Sequence, residues 1–153
     1  DKTRLEYESL GRDSMYVAIH KSNPLAGTDE PLPFYALENQ KIITGPADNV
    51  LCRFFDYCCK VSKIQPQRLM SSSYKEDFIN SMSRNMGIAP LTSAMAFRIT
   101  NPDIHIRPLI LPVEGKICLC WEKQNGNQKA VKHFSTYCRE YFRQNPIQPY
   151  RSE

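Results

Sequence analysis

The chain has 153 residues, the length of one ordinary domain or of two small lobes, which leaves no room for a large multidomain enzyme. Hydrophobic residues make up 41% and charged residues 24%, a globular composition that excludes a disordered or fibrous chain. The 20 basic and 16 acidic residues are scattered and give a net charge of +4, without the basic stripe of a nucleic-acid surface. No apolar run approaches the roughly 20 residues of a membrane-spanning helix, so a membrane-spanning protein is excluded.

Residues 12–91 alternate between short β-branched runs and segments with helical spacing, the pattern of βαβ units around a parallel sheet. The predicted strands are 15–19, 41–44, 67–71 and 88–91. A first helix is predicted over 46–61, with Pro46 in the first helical position and Asp48 in the first turn. A Ser-x-x-Glu capping box at Ser73 predicts a second helix that ends at Gly87.

The remaining third of the chain predicts two strands, 107–111 and 116–122, joined by a turn at 112–115, and a last helix over about 128–144. Cys118 and Cys120 alternate with apolar neighbours, which predicts a strand buried on both faces. The last helix has an apolar stripe that is expected to be buried, formed by Val131, Phe134, Cys138, Tyr141 and Phe142.

Six cysteines are many for this length, but their spacings match no zinc-binding pattern. They are Cys52, Cys58, Cys59, Cys118, Cys120 and Cys138. On an intact helix Cys52 and Cys59 would lie two turns, or about 11 Å, apart, whereas a disulfide needs α-carbons within about 7 Å. We therefore expect six reduced, mostly buried thiols of a cytosolic protein, and a thiol-based redox switch stays the alternative.

Catalysis is the weaker hypothesis. None of the three histidines forms a local Cys/His/Asp motif, the six glycines are isolated, and there is neither an HExxH motif nor a pair of catalytic carboxylates. The sequence thus predicts no enzyme, no catalytic residue, no metal site and no cofactor.

The most informative positions follow two neighbouring predicted parallel strands. They are Thr44, Gly45, Pro46, Ala47, Asp48 and Asn49 after one strand, and Ser71, Ser72 and Ser73 after the next. Ligands of open α/β sheets bind beyond the carboxyl ends of strands, and the N–H groups of helix starts favour anions. We expect a small carboxylate or similar anion here. The alternative is that Thr44 and the serines only cap their helices.

Three segments resemble the effector-binding domain of LysR-type transcriptional regulators over residues 5–143. The segments are Tyr16-Val17-Ala18-Ile19-His20 with Asn23-Pro24-Leu25-Ala26, then Asn85-Met86-Gly87-Ile88-Ala89-Pro90-Leu91, and Leu119-Cys120-Trp121-Glu122-Lys123. The family usually has His where this chain has Asn23, and its usual proline falls later than Pro90.

The resemblance implies an α/β fold of the periplasmic-binding-protein-like type 2 class, with a three-layer lobe, a parallel sheet core and a truncated first lobe. Residues 1–11 would be a crossover from lobe one, 12–123 lobe two, and 124–153 a helix returning to lobe one, followed by a tail. The lobe-two side of the ligand cleft would comprise 44–49 and 71–73, with Pro90 nearby.

The function implied is that of a cytoplasmic effector-sensing domain, which binds a small anionic ligand to modulate transcription. DNA would be contacted only through an N-terminal winged helix-turn-helix that is not in this sequence. The chain is expected to be a homodimer, and a tetramer when full length. A lobe of an extracytoplasmic solute-binding protein and a thiol-based redox-sensing domain are the alternatives.

Overall fold

The computed structural model of the protein describes residues 3–72 and 75–147. Its strands are β1 Leu5–Asp13, β2 Met15–His20, β3 Leu32–Pro33, β4 Lys41–Thr44, β5 Gln67–Ser71, β6 Ala89–Thr92, β7 Ile104–Ile110 and β8 Gly115–Glu122. Its α-helices are α1 Val50–Ser62, α2 Lys75–Ser83, α3 Ser93–Ala96 and α4 Lys129–Gln144. None of the helices in these ranges combines the length and the apolar character needed to cross a membrane. The predicted cap Ser73 lies outside the described residues.

The chain divides into two compact units. Among the described residues, the small unit comprises 3–13 and 114–147, and the large unit comprises 14–72 and 75–113. The sequence placed the lobe boundaries near residues 12 and 123. In the structure β8 belongs with β1, because these two strands pair with each other.

The large unit is built on a mixed sheet. β4 and β5 are parallel, and a parallel bridge between Ile42 and Ile88 joins this pair to a four-stranded sheet of order β3-β7-β2-β6. The three strands predicted to be parallel therefore run in the same direction. β2 runs antiparallel to both of its neighbours, β6 and β7, so the sheet is not parallel throughout.

Helices cover both faces of this sheet, which explains why residues 15–19 of β2 are all at most 2% exposed. Met15, Val17 and Ile19 share a hydrophobic cluster with Phe55 of α1, while Tyr16 and Ala18 share the other cluster with Met82 of α2. The crossovers from β4 to β5 and from β5 to β6 run in opposite directions along the sheet. Because their helices lie on opposite faces, the two crossovers have the same hand, as the rule for βαβ units requires.

The predicted start of the first helix is wrong. α1 begins at Val50, since the Asn49 side chain accepts the Leu51 N–H at 2.8 Å and caps the helix. Residues 46–49 form a turn instead, so Pro46 is not in the first helical position and Asp48 precedes the cap. Phe55, Cys58 and Cys59 are buried and form the apolar face of this helix.

α2 also ends earlier than predicted, at Ser83 rather than Gly87. Asn85 adopts a left-handed conformation with φ 53°, and the Met86 N–H bonds to the Ser81 carbonyl at 3.0 Å. These are the marks of a Schellman helix end, in which asparagine takes the role usual for glycine. Met86 consequently lies beyond the end of the helix and is 44% exposed.

In the small unit β1 and β8 form an antiparallel ribbon, with Leu5 opposite Glu122 and Asp13 opposite Gly115. The two strands predicted around a turn at 112–115 therefore do not pair with each other, because β7 pairs with β2 and β3. The ribbon is open on much of its surface, and Cys120 is exposed and Cys118 half-buried. The prediction that this strand is buried on both faces is wrong.

The apolar stripe of α4 is buried only in part. The helix packs on β1, and Cys138 is buried while Phe142 is half-buried. Phe134 and Tyr141 are 57% and 48% exposed. The burial expected for these two rings is not found.

Candidate functional site

A cleft of about 640 Å³ opens in the large unit beyond the carboxyl end of β4, between the start of α1 and the helices α2 and α3. At this point the segment after β4 leads to α1 on one face of the sheet, and the segment after β5 leads to α2 on the other face. Ligands of open α/β sheets usually bind at such a position. The cleft is lined by Thr44, Gly45, Pro46, Asp48, Asn49, Leu51, Cys52, Phe55, Ser72, Phe78, Ile79, Met82, Pro90, Leu91, Met95, Arg98 and Ile99.

Seven of the ten positions predicted from the sequence line this one cleft. They are Thr44, Gly45, Pro46, Asp48, Asn49, Ser72 and Pro90. Ala47 and Ser71 are not among the lining residues, and Ser73 lies outside the described residues. Ser71 still shapes the cleft, because its hydroxyl donates to the Gly45 carbonyl at 2.8 Å and ties the loop after β4 to the end of β5.

Two of the polar side chains that line the cleft already form hydrogen bonds to the first turn of a helix. The Asn49 side-chain oxygen caps α1, and the Ser72 hydroxyl donates to a carboxylate oxygen of Asp77, in the first turn of α2, at 2.6 Å. Asn49 is therefore a helix cap, whereas the Ser72 hydroxyl bonds to a side chain in the first turn of α2. Ser72 also donates its backbone N–H to the Thr44 carbonyl at 3.1 Å, which holds the two loops together.

Thr44 is different, since its hydroxyl does not cap a helix. The residue is only 5% exposed, and its Oγ1 accepts a hydrogen bond of 3.2 Å from Nη1 of Arg68. The same Nη1 lies 3.4 Å from Sγ of Cys52, and the guanidinium pairs with Asp56 and stacks over the ring of Phe55 at 5.6 Å. No local sequence pattern predicts this network, because Arg68 meets Thr44 only through the register of β5 on β4.

The rest of the wall is mostly apolar. Part of it comes from the segment around α3, for which the sequence predicted neither a helix nor a strand. Thr92 caps the four-residue helix α3 by accepting the Met95 N–H at 3.3 Å, which brings Met95, Arg98 and Ile99 to the cleft. Among the described lining residues Arg98 is the one cation and Asp48 the one carboxylate. A cleft with an apolar wall and a few convergent polar groups is the usual form of a small-molecule site.

The six cysteines form no disulfide in this structure, and Cys52, Cys58 and Cys59 lie on the continuous helix α1. Burial raises the pKa of Cys58 and of Cys59 to about 11, so both thiols are protonated and unreactive near neutral pH. Within 3–72 and 75–147 no three His, Cys, Asp or Glu side chains are grouped so that they could hold a metal ion.

A family model described as the LysR substrate binding domain matches residues 1–143. No curated protein sequence matches the chain. Structures of similar fold have low sequence identity. The effector-binding domain of a BenM variant has a TM-score of 0.78 at 14% identity and covers 98% of this chain and 70% of its own.

Two further structures of similar fold are complexes with small ligands. The QuiR effector-binding domain in complex with shikimate has a TM-score of 0.76 at 17% identity, covering 96% of this chain and 69% of its own. The regulatory domain of Synechocystis PCC6803 CcmR in complex with 2-PG has a TM-score of 0.72 at 14% identity, covering 90% and 67%. Full-length BenM is spanned over only 50% of its length. At these identities the likeness shows the fold, which is the periplasmic-binding-protein-like type 2 fold of the matched family.

Proposed function

We propose that this chain, which belongs to the LysR substrate-binding domain family, is the effector-sensing part of a LysR-type transcriptional regulator and binds a small anion in the cleft beyond β4. The observation that carries the proposal is the convergence of seven sequence-predicted positions on one cleft with an apolar wall. Such a ligand acts on transcription by its differential affinity for two arrangements of the regulator. The role is regulatory rather than catalytic.

The anionic character of the ligand is supported by three groups. Thr44 provides a buried hydroxyl, α1 directs its positive end toward the cleft, and Arg98 provides a cation. Asp48 acts against an anion, and its exposure to water weakens that repulsion. The structures of similar fold were described with shikimate, 2-PG and benzoate, which makes these three compounds a suitable starting panel.

The experiment is a titration of the isotope-labelled chain with benzoate, shikimate and 2-PG, followed through its amide NMR shifts, with neutral benzamide as the matched control for benzoate. We expect the responsive amides to lie at 44–45, 47–49, 71–72 and 98, and benzoate to bind more tightly than benzamide. Shifts confined to other residues, or equal binding of benzamide, would contradict the proposed site.

We also propose where the regulator acts and how it binds DNA and assembles. The regulator would act in the cytoplasm, contact DNA through an N-terminal winged helix-turn-helix, and form a tetramer when full length.

The chain itself would dimerise through the exposed aromatic face of α4, formed by Phe134, Tyr137 and Tyr141, because apolar patches of this kind commonly mark interfaces. Sedimentation equilibrium at micromolar concentration should report a dimer for the wild type and a monomer for the Phe134→Ser/Tyr141→Ser variant. A monomeric wild type would reject this contact.

A further inference from the structure

The hydroxyl of Thr44 can accept and donate hydrogen bonds, and among the described residues only its oxygen has a partner. This oxygen accepts from Nη1 of Arg68 at 3.2 Å, and the residue is only 5% exposed at the wall of the cleft. No acceptor for the hydroxyl proton is found among the residues that the structure describes. A buried donor without a partner is costly, so a group in the cleft that accepts this proton is favoured.

Arg68 cannot reverse this arrangement. A guanidinium carries donors only, so Thr44 must face it with a lone pair. Arg68 is also held from several sides, by the carboxylate of Asp56, by the ring of Phe55 and by Sγ of Cys52. Because the arginine is fixed and can only donate, the threonine proton is turned away from it, toward the cleft.

We infer that Arg68 is a positioning residue which, by fixing the Thr44 hydroxyl as a donor, makes the cleft selective for ligand groups that accept hydrogen bonds, above all carboxylates. The inference rests on the proposed function, since it names the chemistry of the same cleft. Arg68 is not among the lining residues, so it contacts a ligand only through Thr44, and the Asp56 carboxylate offsets the charge that it exerts at longer range. A ligand ammonium in the same place would leave the threonine proton unpaired.

The first experiment compares three ligands that share one ring and differ in hydrogen bonding: benzoate, which only accepts, benzamide, which does both, and benzylammonium, which only donates. Affinities are measured by amide NMR titration on the whole chain. We expect the wild type to prefer benzoate over benzylammonium by about tenfold or more, the ratio that one unpaired buried donor produces. Arg68→Gln, which frees the threonine to rotate, should reduce this ratio to within about threefold, and so should Thr44→Val.

Thr44→Ser is the conservative variant and should keep the wild-type ratio, because it keeps the hydroxyl. Arg84→Gln is the control for charge, since Arg84 is an exposed arginine that does not line the cleft. It removes the same charge as Arg68→Gln and should leave the ratio unchanged. A purely structural role for Arg68 predicts a lower denaturation midpoint with an unchanged ratio, and that result would overturn the inference.

The second experiment needs no ligand and therefore separates the inference from the proposed function. The urea midpoints of Arg68→Gln, Thr44→Val and the double variant form a double-mutant cycle. We expect the two changes to be non-additive, because either one removes the same hydrogen bond. Additive shifts would overturn the inference even if carboxylates bind. If none of the three ligands shifts the cleft amides while the cycle is non-additive, the proposed function fails and the positioning of Thr44 stands.

Discussion

The two units of the chain are stabilised in different ways. The large unit has a hydrophobic cluster on each face of its sheet, and both clusters contain side chains with no exposed surface. In the described part of the small unit the buried residues are only Gly115, Ser135 and Cys138. Because stability follows the apolar area removed from water, the large unit is the rigid support on which a ligand site can be built.

The small unit relies instead on polar contacts at its surface. Arg139 forms a two-point contact with Glu8, with atom separations of 2.5 and 2.9 Å, and Arg12 and Lys116 both reach Glu114. Exposed pairs of this kind contribute little in water. We therefore expect matched substitutions to have very different effects in the two units.

The largest difference is expected for removal of one phenylalanine ring. Phe55 is 1% exposed, so Phe55→Ala should lower the free energy of unfolding by about 3–5 kcal/mol. Phe134 is 57% exposed in the single chain, and Phe134→Ala should cost less than about 0.5 kcal/mol in protein dilute enough to be monomeric. Urea denaturation followed by circular dichroism measures both. Equal losses in the dilute protein would contradict the comparison, whereas a loss at Phe134 that grows with protein concentration would report the proposed dimer.

The second comparison uses one arginine from each unit. Arg107 is 7% exposed, and its guanidinium donates to the carbonyls of Leu25, at 2.5 Å, and Glu30. Arg107→Met leaves these carbonyls without their donor and should cost about 2–3 kcal/mol. Arg139→Met removes an exposed ion pair and should shift the urea midpoint much less. A small effect at Arg107 would mean that water replaces the guanidinium.

Two glycines of the large unit test how tightly the cleft side of the sheet is packed. A Cβ on Gly87 would lie 2.6 Å from the Lys41 carbonyl oxygen, whereas one on Gly45 would meet only Asn49 atoms at 3.7 Å. Gly87→Ala should therefore cost about 1–3 kcal/mol, and Gly45→Ala should change stability by less than about 0.5 kcal/mol. Thermal melts of the two variants give the comparison, and a tolerated alanine at Gly87 would show that β4 and β6 can separate.

The smallest effect concerns the pH dependence of the small unit. The hydrogen bond from Arg139 holds the pKa of Glu8 below its ordinary value. The pair therefore stabilises the folded state above the ordinary glutamate pKa of about 4.3, and this contribution is lost as the pH falls through the lowered pKa. Glu8→Gln should be less stable than wild type at neutral pH and equal to it once the Glu8 carboxylate of the wild type is protonated. Exposed Glu38, changed to Gln, is the control, and a difference that persists in acid would exclude the ion pair as its cause.

Features that depend on neighbouring residues were predictable from the sequence. The runs at 41–44 and 67–71 are β-branched or bounded by turn residues, and their parallel pairing follows from the helical segment between them. The positions after these strands follow from the same order of elements. Both inferences need only local pattern and the topology rules of α/β folds.

Features that depend on long-range register were not predictable. β8 pairs with β1, so that Leu5 meets Glu122, and no local signal distinguishes this partner from the nearer β7. Arg68 reaches Thr44 across 24 residues for the same reason. The start of α1 was missed because Pro46 and Asn49 are both acceptable near a helix start, and the side-chain oxygen of Asn49 gave the better cap.

The bridge between Ile42 and Ile88 offers a way to detect ligand binding by hydrogen exchange. Two backbone hydrogen bonds, Ile43 N–H to the Ile88 carbonyl at 2.9 Å and Ile88 N–H to the Lys41 carbonyl at 2.8 Å, join the β4–β5 pair to the rest of the sheet. Thr44 lies on one side of this seam and Leu91 on the other, and both line the cleft. A ligand that contacts both residues would oppose the separation of β4 from Ile88. Hydrogen exchange of the Ile43 and Ile88 amides should therefore slow when a ligand is bound.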